Sequence, residues 1–135
     1  MTAILALALL FAPTEPLRDA RHVELSRVSH YAPGRMQEVI ANRQNGCCGR
    51  YSLPDPLPQA DGYIATAWPD DIGTFVTLRP VGSKRWWRLY VVDCGGRSDG
   101  GQAWLLRNGI VGEVDYETAL AWGTVGRLGE VEVLR

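Results

Sequence analysis

Few side chains in this sequence combine a reactive group with a setting that would tune it, and the first is Asp93. It ends the apolar run Leu89-Tyr90-Val91-Val92 and opens onto Cys94-Gly95-Gly96. Apolar neighbours disfavour the charged form of a carboxyl, so a carboxyl placed there can serve as an acid or a base. A simpler role for Asp93 is to accept hydrogen bonds from the amides of Gly95 and Gly96. The histidines are His22, in the linker, and His30. His30, in Ser29-His30-Tyr31, follows a strand pattern and could line a groove. Neither histidine pairs with cysteines at metal-ligand spacing, so no metal site and no cofactor is expected.

The cysteines are Cys47, Cys48 and Cys94. Adjacent cysteines rarely bond each other, because the geometry is strained. One of the pair bonded to Cys94 would tie the glycine-rich loop down beside Asp93. Cys48–Cys94 is the expected bridge, with Cys47 as the other partner Cys94 could take. A closed loop of about 45 residues is worth about 4 kcal/mol in the chain-entropy picture. The contrary reading is three thiols in a reducing compartment.

Flat rings are the third chemical feature: Trp68, Trp86, Trp87, Trp104, Trp122 and Tyr31. Ring faces can receive the C–H surfaces of sugars. Trp86 and Trp87 are consecutive on a strand, so one faces the core and the other faces away. Trp104 follows the glycine loop and is the first candidate to line a groove. Gly95 to Gly101 lacks the lysine and the following helix signal of a phosphate-binding loop.

These groups must be positioned by short elements. Alternation predicts strands at Leu25–Tyr31, Tyr63–Ala67, Thr74–Leu78, Arg85–Asp93, Gly112–Asp115 and Glu130–Leu134. Met36, Val39 and Ile40 give helical spacing within Pro33–Gln44. A second helix, Tyr116–Trp122, is capped by Asp115 and stopped by Gly123. Gly82-Ser83-Lys84 reads as a hairpin turn, and Gly46, Gly49 and three prolines hold residues 45–58 in a loop. Six short strands with two short helices predict a mainly β fold, a small closed barrel with helical insertions.

Composition agrees with one such domain. The chain has 135 residues, 46% of them hydrophobic and 21% charged, with a net charge of −1. That much apolar material excludes a disordered tail, and the missing basic excess argues against nucleic acid as a partner. Repeated apolar runs of about 20 residues, as membrane spans need, are absent, so no integral membrane span is expected. The run Ala3–Ala12 (AILALALLFA) has the length of a secretory signal's apolar centre, although no Lys or Arg precedes it. Residues 1–22 therefore read as signal peptide and linker, with cleavage after Ala12 or Ala20, and residues 23–135 as the barrel domain. A buried first helix is the other reading of the same run. An exported protein would work in the cell envelope or outside the cell, where disulfides form.

Three stretches together carry a family resemblance. Gly73-Thr74 opens a strand (GTFVTL), RLYVVDCGG ends one, and GEVDYETALAWGTVGRLGEVEV closes the chain. This order resembles the double-psi β-barrel of the rare lipoprotein A, expansin and barwin group. Asp93-Cys94-Gly95 stands in the place of that group's Asp-Arg-Gly, and Val114-Asp115-Tyr116 in the place of its second aspartate step. Thr118-Ala119-Leu120 matches the short helix, and Gly129 to Val133 the last strand. The match is specific over residues 73–133.

The resemblance implies a six-stranded double-psi β-barrel with a polysaccharide, peptidoglycan among them, lying in a groove across it. It implies glycan cleavage by lytic transglycosylation or hydrolysis, or else non-catalytic binding of the expansin and barwin type. Asp93 and Asp115 match the group's recurrent aspartates. A third acid is implied upstream of Gly73, where Asp55, Asp61, Asp70 and Asp71 lie, and Asp61 is favoured because it directly precedes a strand. Trp68 stands near the place where the group often has a histidine. The expected catalytic set is thus Asp93, Asp115 and Asp61. The expected substrate-binding set is Trp104, Trp68, Tyr31 and His30, on a monomer.

Overall fold

The computed structural model describes residues 22–95 and 101–135. The proposed signal segment and Gly96–Gly100 of the glycine loop lie outside the described residues. The elements run β1 (Val23–His30), α1 (Arg35–Gln44), β2 (Gly62–Thr66), β3 (Phe75–Pro80), β4 (Trp87–Cys94), α2 (Gly101–Arg107), β5 (Ile110–Val114), α3 (Tyr116–Trp122) and β6 (Gly129–Leu134). Single 3-10 turns occupy Gly49–Tyr51 and Pro69–Asp71.

All six strands expected from the sequence form, and they close on themselves in the order β1-β5-β2-β4-β3-β6. Pairs β1/β5 and β2/β4 are parallel, and the other four are antiparallel. Closure gives each described strand a partner on both sides, which suits strands this short. Among the described residues the fold is a closed, mixed six-stranded β-barrel with three short helices. Among the described residues, no helix is long and apolar enough to cross a membrane.

Period-two alternation fills the interior. Val28, Ile64, Leu78, Leu89, Val91, Val114, Val131 and Val133 point inward and are essentially inaccessible, and Ala119 of α3 joins them. Each such side chain contributes about 1.5–3 kcal/mol by leaving water. Trp87 packs on this core, whereas the preceding Trp86 lies under the Arg79 guanidinium, as their opposite facing requires. Outside the barrel, α1 covers Tyr90 and Val92 with Met36, and α2 covers Ala67 and Ile110 with Leu105.

Two expectations change. A third helix, α2, begins directly after the glycine loop and carries Trp104. Its seven residues bury only Leu105, too short an apolar stripe to read as helical periodicity. The bridge is also different: Cys48 pairs with Cys47, not with Cys94. Cys47 and Cys48 lie on an exposed turn after α1, where Cys48 takes a left-handed conformation (φ 83°). Cys94 is buried at the end of β4, on the barrel wall.

Candidate functional site

Register places a row of four residues across neighbouring strands: Ser29 on β1, Glu113 on β5, Ala65 on β2 and Asp93 on β4. Val28, Val114 and Ile64, the neighbours of the first three, belong to the interior, so Ser29, Glu113 and Ala65 lie on the outer face. Ala65 separates the two acids, whose α-carbons are therefore two strand spacings apart, about 10 Å. In β4 the register shift skips Val92 and brings Asp93 into line with Ala65, on the side where Tyr31 and Arg43 of α1 reach it.

Asp93 is held by side chains that arrive from far along the chain. Arg43, at the end of α1, donates from Nη2 to Asp93 Oδ1 at 2.6 Å, and the Tyr31 hydroxyl donates to Oδ2 at 2.7 Å. Arg43 is 4% exposed and Asp93 9%, so this is a buried ion pair. Arg43 also donates to the Tyr51 carbonyl at 3.2 Å, which ties α1 to the turn beyond the cysteine pair. Its Nε is buried with no hydrogen-bond partner among the described residues. The Tyr31 hydroxyl is pushed well above its ordinary proton affinity, first by burial and then by its bond to Asp93. It therefore stays a donor.

Glu113 is the second acid of the face. Ser29 Oγ donates to its Oε2 at 3.1 Å. Burial raises its proton affinity most; the Ser29 bond pulls the other way, the Asp93 charge adds a smaller rise, and His30 a still smaller fall. Gly95 makes room for it: a Cβ there would fall 3.1 Å from Glu113 Oε1 and 2.9 Å from a Leu105 methyl.

The structure does not bring the three sequence-predicted aspartates together. Asp115 is 4% exposed and caps α3. Its Oδ1 accepts from the Tyr63 amide at 2.9 Å and the Thr118 hydroxyl at 2.6 Å, and its Oδ2 from the Thr118 amide at 3.3 Å. Asp61 sits level with Arg88, about 16 Å back along the strand direction from Asp93. There it accepts from the Arg88 amide and pairs with Arg85.

Of the predicted binding residues, Tyr31 reaches Asp93. His30 accepts the Gly126 N–H at Nε2, which leaves Nδ1 to donate to the Tyr31 carbonyl at 2.9 Å. Trp68 and Trp104 are 52% and 42% exposed. Two open cavities meet at Ala67. One, of about 290 Å³, is walled by Arg43, Tyr51, Cys94, Gly95 and Gln102. The other, of about 340 Å³, is lined by Ser26, Thr66, Trp68, Asp71 and Leu105 among others. Among the described residues, no three His, Cys, Asp or Glu side chains gather as a metal ion would require.

Comparison with protein-family models, curated proteins and solved structures finds no match.

Arg43 and Glu113 were not singled out in the sequence. Arg43 falls at i+7 from Met36 and i+3 from Ile40, on the stripe that packs against the barrel, which was a usable signal. Glu113 joins Asp93 only through the strand order.

Proposed function

We propose that this barrel acts on cell-wall or other structural polysaccharide, cleaving glycosidic bonds at the outer face that carries Asp93 and Glu113. The observation that carries this reading is the alignment of two carboxylates in one row with only Ala65 between them. Glycan cleavage needs one group to give a proton to the bridging oxygen and benefits from a second, charged group nearby. The environments of the two acids differ in the required way: Asp93 is bound to a cation, and Glu113 is driven toward its neutral form. Exposed Trp68 and the cavities on either side of Ala67 supply ring and polar surface beside the row.

The double-psi identity is part of the proposal. Two parallel strand pairs within one closed six-stranded barrel support it, as does the place of Asp93 at the end of β4. We read the protein as exported, acting in the cell envelope or beyond it, where a Cys47–Cys48 bond would persist.

Purified protein incubated with peptidoglycan, cellulose, chitin or xylan is expected to shorten chains or release soluble fragments. Asp93→Asn is expected to lower that release. No release from any of these, with a normal circular dichroism spectrum, would sink the cleavage reading.

One observation favours a second reading, a non-catalytic polysaccharide-binding module. Both Asp93 oxygens are engaged internally, while Trp68 and Trp104 present about half of their surface to solvent. In that case Trp104→Ala weakens polysaccharide pull-down, and folded Asp93→Asn retains it.

A further inference from the structure

Both oxygens of Asp93 are occupied, one by a guanidinium and one by a phenol. Sealed from solvent and engaged at both oxygens, Asp93 offers no oxygen to an incoming sugar. Glu113 is built differently. It is only partly buried, where Asp93 is sealed, so an incoming oxygen can reach it. Among the described residues only Ser29 bonds its carboxylate, at Oε2, and Oε1 lies beside Gly95. The titratable and charged groups facing it are His30 after Ser29 on β1, Tyr31 beyond, and Asp93 across Ala65.

We propose that Glu113 is the catalytic acid of this face, that Ser29 positions it, and that Asp93 acts only through its charge. The assignment rests on the glycan-cleavage reading above. The neutral carboxyl of Glu113 gives its proton to the bridging oxygen. The C1–O bond then breaks, and its electron pair leaves with the departing sugar's hydroxyl. The resulting sugar cation is taken by water or by a hydroxyl of the same sugar. The proton lost by that attacking hydroxyl returns to the Glu113 carboxylate, so the acid is restored in one cycle. The fixed Asp93 charge disfavours ionisation of Glu113 before the bond breaks.

The experiment uses the full chain, with chain shortening of peptidoglycan, cellulose, chitin and xylan as the assay. Glu113→Gln keeps the shape and is expected to lower cleavage about 100-fold or more, the usual contribution of a general acid. Polysaccharide pull-down should be unchanged. Ser29→Ala removes a bond that favours the charged form, so the fall of kcat toward high pH should move to higher pH. A merely structural serine would leave that limb in place.

Wild-type protein that cleaves while Glu113→Gln cleaves equally well overturns the assignment and leaves the glycan reading standing. Wild-type protein that cleaves nothing removes both. Loss of cleavage in Glu113→Gln with an unmoved limb in Ser29→Ala also overturns it. A Glu113 carboxyl that titrates at an ordinary value by carbon-detected NMR counts against it in the same way.

Discussion

Asp93 and Asp115 look alike in sequence and differ in almost everything structure adds. Each follows a short apolar strand, Val91-Val92 before one and Val114 before the other, and each is nearly sealed from solvent. Asp115 is satisfied by the hydroxyl and amide of Thr118, three residues on, and by the Tyr63 amide, 52 residues away, all of them neutral donors. Asp93 is satisfied by Tyr31 and Arg43, which lie 62 and 50 residues away. The first arrangement completes a helix end and needs no charge from outside. The second gathers β1, α1 and β4 onto one buried negative charge. A buried acid served by neutral donors at a helix start is a structural cap, whereas Asp93 shares its face with a second acid that its charge acts on. Glu113 is the neighbour that feels it.

The sharpest way to break this contrast is to remove the cation. Arg43→Met should leave Asp93 buried without its partner and cost about 3–5 kcal/mol, the usual consequence of halving a buried ion pair. Replacing both residues, as Arg43→Met with Asp93→Leu, should recover most of that loss. Urea unfolding of the two single variants and the double variant measures the coupling. A loss below about 1 kcal/mol in Arg43→Met would show that Asp93 is solvated and that the contrast with Asp115 is false.

Asp115→Ala tests the other side. It removes the acceptor of three hydrogen bonds at the start of α3, for about 2 kcal/mol, at the upper end for a helix cap. Stability should fall while the proton affinity of Glu113 stays where it is. A shift of the Glu113 titration in this variant would mean that the two acids are not separate.

Tyr31→Phe comes next. It deletes one donor to the buried Asp93 carboxylate and keeps the ring, for about 1.5 kcal/mol. Thermal unfolding should show a drop of roughly 6 °C for a domain of this size. An unchanged midpoint would mean that Arg43 alone holds Asp93.

The barrel was legible in the sequence because alternation is local. Inward Val131 and Val133 on β6, or Ile64 on β2, need no knowledge of neighbours. Asp115 and Gly123 were legible for the same reason, since a cap and a stop are read within one helix. Asp93 could be picked out by its place between an apolar strand and glycines. What it touches could not, because Tyr31 and Arg43 reach it only through closure of the barrel and packing of α1. The cysteines misled in an instructive way. Linking Cys94 to the distant pair assumed that strain forbids a bond between neighbours, yet the turn at Cys48 permits one. The third aspartate was sought upstream of Gly73, in chain order. The acid that shares a face with Asp93 lies downstream, on β5, which inserts between β1 and β2.

The smallest effect is the most discriminating. Burial first, and the Asp93 charge with it, raise the proton affinity of Glu113 above that of an unfolded glutamate. A carboxyl whose folded pKa is raised gives its full contribution to stability below the unfolded value and loses it as pH rises through the folded one. Wild-type protein should therefore lose a little stability over that window above the ordinary glutamate range, and Glu113→Gln should not. Unfolding midpoints of the two proteins, measured at close pH intervals, give the difference directly. That difference should shrink in an Asp93→Asn background, because one source of the shift is gone. It should persist undiminished in Asp115→Ala, whose carboxylate faces α3 and the Tyr63 amide. If both backgrounds shrink it equally, the Glu113 shift comes from loosened packing and not from the charge beside it, and Asp93 would then be no more than a second cap.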